Sequence, residues 1–216
     1  MNQMLIKATL ETLYMVFIAT SFTVLFGLPL GTVLVITSKG HILENQALHK
    51  TLSYVVNMAR SLPFIILMIF IIPFTRLIVG TSIGTNAAIV PLVVAAIPFF
   101  ARIVESALYE VEGGVVEAAI AMGASEWEII RQVLIPEALP SLILGTTITI
   151  INLIGYSAMA GAVGGGGIGD LAIRYGYHRF RLDIMAETIV ILIVLVQLLQ
   201  STGNLLANSI LKHRKR

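Results

Sequence analysis

The chain has 216 residues, of which 57% are hydrophobic and only 12% charged. A soluble domain carries roughly 25% charge, and the mean hydropathy of +0.93 points to the bilayer instead. A net charge of +2 without a basic, aromatic-laced patch argues against nucleic acid, and zero cysteines exclude disulfides and thiolate-bound metal.

A membrane-spanning helix needs about 20 mostly apolar residues, and the pattern predicts five spans, at about 10–37, 55–74, 87–101, 140–159 and 184–207. The first apolar run, Leu13 to Ile36, is too long for a signal core and lacks a small-residue cleavage site, so it is expected to stay as an anchor. Gly27, Pro29 and Gly31 inside it predict a kink and a close helix contact. The second span has Arg60 and Pro63 near its start, and the third carries Pro91 and Pro98. The fifth has Glu187 near its beginning. Arg60 and Glu187 are expected to snorkel to the interface. The basic stretch Lys212, His213, Arg214, Lys215 and Arg216, within a tail at 208–216, reads as a membrane-surface anchor. The fold class that follows is an all-α membrane bundle with no separate soluble domain.

Lys and Arg set the orientation. With the C-terminus cytoplasmic, Lys39, Lys50, Arg60, Arg102, Arg131, Lys212, Arg214, Lys215 and Arg216 lie inside, and Lys7, Arg76, Arg174, Arg179 and Arg181 outside. The N-terminus is then expected outside.

One polar island interrupts the apolar pattern: EAAIAMGASEWEIIRQVLIP, Glu117 to Pro136. Glu117, Ala118 and Ala119 open a run of helix formers. Gly123 can take the left-handed conformation that ends a helix. Ser125 and Glu128 have the spacing of a capping box for a second helix. Trp127, Ile130 and Leu134 are expected on one face of it, and Glu128 and Arg131 can pair at i,i+3. Pro136 limits its unbent run. The island reads equally as an amphipathic surface helix or as an element that a soluble partner grips.

Span four carries Asn152, Tyr156, Ser157 and Met159. Such a polar stripe lines either a helix contact or a cavity, and the flexible Met159 is a candidate gate plug. The following GGGGIG at 164–169 matches a dinucleotide fingerprint formally, but a membrane span precedes it where a strand is required; packing or a hinge is the better reading. No P-loop motif occurs, so the chain has no ATP site of its own. The four histidines are scattered, no HExxH is present, and no metal site is expected.

The island's Glu117-Ala118-Ala119, three residues, Gly123, nine residues, then Val133 to Pro136, resembles the EAA loop of binding-protein-dependent ABC importer permeases. That pattern ends I-x-L-P, so Val133 and Ile135 are conservative departures. Further likeness runs through RSLPFIIL at 60–67, IPFTRLIVGTSIG at 72–84 and GYSAMAGAVG at 155–164, which look like the permease of bacterial methionine ABC importers. The resemblance implies a type I importer permease with five spans, working as a homodimer in the inner membrane. It implies two separate ATPase subunits that bind ATP and Mg, and an extracytoplasmic methionine-binding protein or lipoprotein. Glu117, Ala118, Ala119, Gly123, Ser125, Glu128 and Pro136 would then couple to the ATPase. Arg76, Arg174, Arg179 and Arg181 would face the binding protein. Methionine, in either stereochemistry, is implied by the resemblance alone. A permease for another small solute, a transporter without ATP and a scaffold subunit are the alternatives.

Overall fold

The computed structural model describes residues 2–214, with side chains over 3–211, and every regular element among them is a helix. The basic C-terminal side chains therefore lie outside what is described. Helix α1 (Asn2–Ile36) has 35 residues, about 52 Å at 1.5 Å each, more than a hydrocarbon core of ~30 Å requires. It runs continuously across Pro29 and packs along α5 (Thr85–Tyr109), the most extensive helix pair in the fold. Gly31 makes that approach possible, since a Cβ there would sit 2.5 Å from the Ala101 carbonyl oxygen and 2.6 Å from Val104 Cβ.

The second expected span departs from the pattern. Instead of one helix over 55–74 there are three pieces: α2 (Gln46–Arg60), α3 (Phe64–Phe70) and α4 (Ile72–Val79). The axis turns by 98° between α2 and α3. Pro63 is the cause. It holds an extended backbone, φ −58 and ψ 133, at the start of α3, and it bars the preceding Leu62 from helical geometry. Arg60 thus ends an amphipathic helix rather than opening a span.

The other crossings run longer than the apolar runs that mark them. Gln3–Ile36, Thr85–Tyr109, Glu126–Gly161 and Leu182–Leu211 are each long and apolar enough to cross a bilayer, and the bent pair can add a fifth crossing. Pro91 and Pro98 lie buried inside α5 without ending it. Helix α10 (Leu182–Arg214) closes the chain. Within it Glu187 is half-buried, one turn from the start of the helix, with one carboxylate oxygen enclosed and without a hydrogen bond among the described residues.

Two large apolar clusters organise the packing. One joins Met15, Phe64, Met68, Leu92, Leu153 and Ala160 from α1, α3, α5 and α8 (Ile135–Gly161). The other joins Val35, Phe100, Val104 and Leu108 to Ala119, Ile129 and Leu134 of the polar island. The island is therefore built into the same core as the spans.

Candidate functional site

The island begins with α6 (Gly113–Ala121), which ends in a left-handed turn at Gly123, φ +82. The Gly123 N–H donates to the Ile120 carbonyl at 2.9 Å, and the Ala124 N–H to that of Ala119 at 3.1 Å. These bonds satisfy carbonyls that a helix end otherwise leaves open. Ser125 then caps the three-residue α7 (Glu126–Glu128). Its N–H donates to Glu128 Oε2 at 2.9 Å, its hydroxyl to the same oxygen at 2.7 Å, and the Glu128 N–H returns to Ser125 Oγ at 3.4 Å. The capping box uses the Glu128 carboxylate, and no ion pair to Arg131 forms among the described residues.

From Ile129 to Leu134 the backbone is π-helical and then runs straight into α8. Pro136 does not stop this helix. Its ring would clash with the carbonyl four residues back in an α-helix; the wider turn ahead of it relieves that position, with the Ile135 N–H reaching five residues back to Ile130. The π turn also changes which side chains share a face. Ile129 and Leu134, five apart, are buried with Ile130, whereas Trp127 is 67% exposed. The expected face of Trp127, Ile130 and Leu134 is thus broken.

Glu117, Ala118, Gly123, Ser125, Glu128 and Pro136 are all exposed, and Ala119 alone of the coupling candidates is buried. On the same segment Ile120, Trp127 and Met122, the last 82% exposed, present apolar side chains to the surface, as Glu112, Glu117 and Glu126 present carboxylates. Beside α6 lies a cavity of about 250 Å³ between His41, Tyr109, Val116, Glu117 and Leu134. The His41 ring meets Tyr109 edge-on at 5.6 Å, and burial holds its pKa below the ordinary value.

The pathway candidates divide. Tyr156 stacks on Phe64 at 4.6 Å, next to the bend at Pro63, and Ser157 is buried with its hydroxyl donating to Ile154. Asn152 is half-buried, and Met159 lies on an exposed face of α8 with Ile148 and Gly155. Among the described residues that face has no partner, and a Cβ at Gly155 would meet open space.

The glycine run packs tightly. It leads into α9 (Gly167–Leu171), whose N-terminus is held by α1: Glu11 Oε2 accepts from the Gly167 N–H and Thr12 Oγ1 from the Ile168 N–H, both at 2.9 Å. A Cβ at Gly161 or Gly169 would strike the backbone of the facing helix. Of the arginines expected on the outer side, Arg174 pairs with Asp170 and Arg181 with Asp183. Arg179 lies 4.6 Å over the Tyr175 ring. Arg76 donates to the Ser82 hydroxyl. Arg76 lies in the last turn of α4, while the others follow α9. Among the described residues no group of His, Asp or Glu is placed to hold a metal.

Two features escaped the sequence. The exposed Met122–Trp127 segment is one; its only signal was a Trp directly after a helix cap, flanked by Glu126 and Glu128. The other is Arg102, which pairs with Glu105 and reaches Ser53 on α2.

Residues 27–213 match the family described as the binding-protein-dependent transport system inner membrane component. The chain is 56% identical over 209 residues to the probable D-methionine transport system permease protein MetI of Vibrio cholerae, covering 97% of this chain and 93% of that protein. It is 54% identical over 200 residues to the protein of the same description from Pasteurella multocida, covering 93% and 92%. A solved structure of the MetNI methionine ABC transporter in inward-facing conformations superposes with a TM-score of 0.96, at 49% identity and 97% coverage of both chains. The chain belongs to the binding-protein-dependent transport system inner membrane component family, and it is a permease with the fold of that neighbour.

Proposed function

We propose that this family member is the permease of an ATP-driven methionine importer. Two copies form the path, two copies of a separate ATPase grip them from the cytoplasm, and an extracytoplasmic binding protein delivers substrate. ATP and Mg belong to the ATPase, since the sequence has no P-loop. Methionine is supported by the relatives' names and the level of identity. The N-terminus lies outside and the C-terminus in the cytoplasm, which puts the island on the ATPase side.

One observation carries the coupling mechanism. The exposed surface of the island is fused to buried anchors: Ala119, Ile129 and Leu134 share a cluster with Phe100, Val104 and Leu108 of α5. A close-packed cluster transmits displacement rather than absorbing it. The helix from Glu126 also continues to Gly161, so a push at Trp127 moves span four as a lever. At its far end Met159 from each copy plugs the path, and closure of the ATPases rocks the two permeases apart there. Arg174, Arg179 and Arg181 meet the binding protein.

The test is reconstitution. Vesicles containing permease and ATPase, with binding protein outside, should accumulate radiolabelled methionine only with internal ATP. Uptake of a different amino acid with none of methionine would keep the coupling mechanism and replace the substrate.

A further inference from the structure

A cavity of about 190 Å³ opens between α3–α4, the start of α5 and the glycine-rich turn. It is smaller than a site for a drug-sized ligand and suits a side chain of a few atoms. Its walls include Met68, Ile72, Ile83 and Ala160, and its only side-chain hydroxyls are those of Thr75 and Ser82.

Those two hydroxyls set it apart from an ordinary packing gap. Thr75 is 4% exposed, yet its hydroxyl makes no hydrogen bond among the described residues. Thr32 and Thr146, in comparable helical positions, each donate to the carbonyl four residues back, whereas the enclosed hydroxyls of Thr20 and Thr23 of α1 are, like that of Thr75, unbonded among the described residues; what distinguishes Thr75 is that it lines a cavity. Ser82 Oγ accepts from Arg76 Nε and from a terminal nitrogen of the same guanidinium, each at 3.2 Å, which places that cation at the cavity wall. Arg174 and Arg181 have carboxylate partners and Arg179 an aromatic one; Arg76 has neither among the described residues.

The cavity also adjoins the expected gate. Ala160 in its wall follows Met159, and above it the Gly84 N–H donates to the Gly164 carbonyl at 2.8 Å. Both glycines hold positive φ, +99 and +87, so the backbone closing this end is of the kind that only glycine adopts easily.

We propose that this cavity is a membrane site for the transported amino acid itself, an inference that rests on the import reading above. An unbranched apolar side chain enters the cavity, Arg76 takes the carboxylate, and the Thr75 hydroxyl donates to a thioether sulfur, a weak acceptor. A charged side chain is rejected, because the cavity lining offers it no counter-ion. The site holds substrate between release from the binding protein and passage through the gate.

The experiment uses the permease–ATPase complex in nanodiscs without binding protein. It measures binding of radiolabelled methionine and its competition by norleucine, which lacks sulfur, and by methioninol, which lacks the carboxylate. Wild type should prefer methionine over methioninol by about tenfold or more, the scale of one charge-assisted hydrogen bond. Arg76→Gln should abolish that preference, and Thr75→Val should abolish the preference over norleucine while leaving methioninol discrimination intact. Ile83→Trp, at an exposed wall position, should block all binding. Vesicle uptake by wild type is measured in parallel. Import without detectable binding, or binding that none of the three variants changes, overturns the site and leaves the import reading standing. Loss of binding-protein association in Arg76→Gln, with methionine binding unchanged, overturns it too and returns Arg76 to docking. Absence of wild-type import in complete vesicles removes the import reading, and the site with it.

Discussion

Arg102 on α5 donates to the main-chain carbonyl of Ser53 on α2 at 3.0 Å, while another of its terminal nitrogens pairs with Glu105 one turn along. The contact ties the amphipathic helix before the bend to the best-buried helix of the bundle. Arg102 and Glu105 have side-chain exposures of 19% and 9%. Removing one partner from such a buried pair is therefore worse than removing both. Arg102→Leu should destabilise the detergent-solubilised protein by about 3 kcal/mol, and Arg102→Leu with Glu105→Leu should recover most of that. Thermal unfolding of both variants checks this; equal losses would mean that Glu105 finds another partner.

Gly123 separates backbone strain from collision. Its φ is +82, and a Cβ built there meets nothing within 4 Å. Gly123→Val should cost about 1–3 kcal/mol locally, as a β-branched residue forced into the left-handed region, with the spans still inserted. Methionine-stimulated ATPase activity should fall steeply because the angle between α6 and α7 changes. Gly123→Asn, which tolerates that region better, should retain much of it.

Trp127 tests the exposed segment without disturbing the core. An exposed side chain lacking structural partners contributes within about 0.5 kcal/mol to stability. A Trp buried at an interface can contribute 2 kcal/mol or more to binding. Trp127→Ala should leave the melting temperature unchanged and weaken co-purification of the ATPase. A normal, fully coupled complex would move the docking surface away from this residue.

These positions also show how far the sequence was legible. Ser125 and Glu128 could be read as a capping box because the chemistry lies within four residues. Gly123 was legible for the same reason, and the apolar runs revealed the class of fold. A 3.6-residue periodicity places Trp127 on the face of Ile130 and Leu134, but the backbone takes a π turn ahead of Pro136 and Trp127 is exposed. Pro63 was visible, but the apolar run beyond it concealed that α2 and α3 are separate helices at 98°. Contacts such as Glu11 with Gly167, 156 residues apart, leave no local pattern at all.

The arginines proposed for the outer side differ in how their charge is compensated. Arg174 and Arg181 are neutralised by Asp170 and Asp183. Arg179 lies against Tyr175 and keeps its charge uncompensated by any carboxylate among the described residues. Charge at a rim acts mainly on encounter rate and is screened by salt. Arg179→Glu should slow association of the binding protein at low ionic strength by about tenfold, with little effect at high salt and none on basal ATPase activity. Stopped-flow association at two salt concentrations decides it, and an unchanged low-salt rate would assign docking elsewhere.

Met159 is the candidate gate residue, and its surroundings define the test. It is 49% exposed, on the face of α8 that also carries Ile148 and the open Gly155. None of the described residues covers that face, so a second copy across a two-fold axis would bring Met159 against its own equivalent. A flexible thioether fills an irregular gap and is displaced at low cost. The neighbouring residues offer no such plug, since Ser157 and Ala160 are buried. Because Met159 is half exposed and its backbone is helical, Met159→Ala should fold normally. It should also leave a leak, seen as methionine efflux from loaded vesicles or as ATP hydrolysis that no longer needs the binding protein. Met159→Leu, which restores bulk without the thioether, should reseal most of it. Vesicles of Met159→Ala that stay tight and fully coupled would reduce the residue to packing between the two copies and place the constriction deeper along the Ile148–Asn152 face.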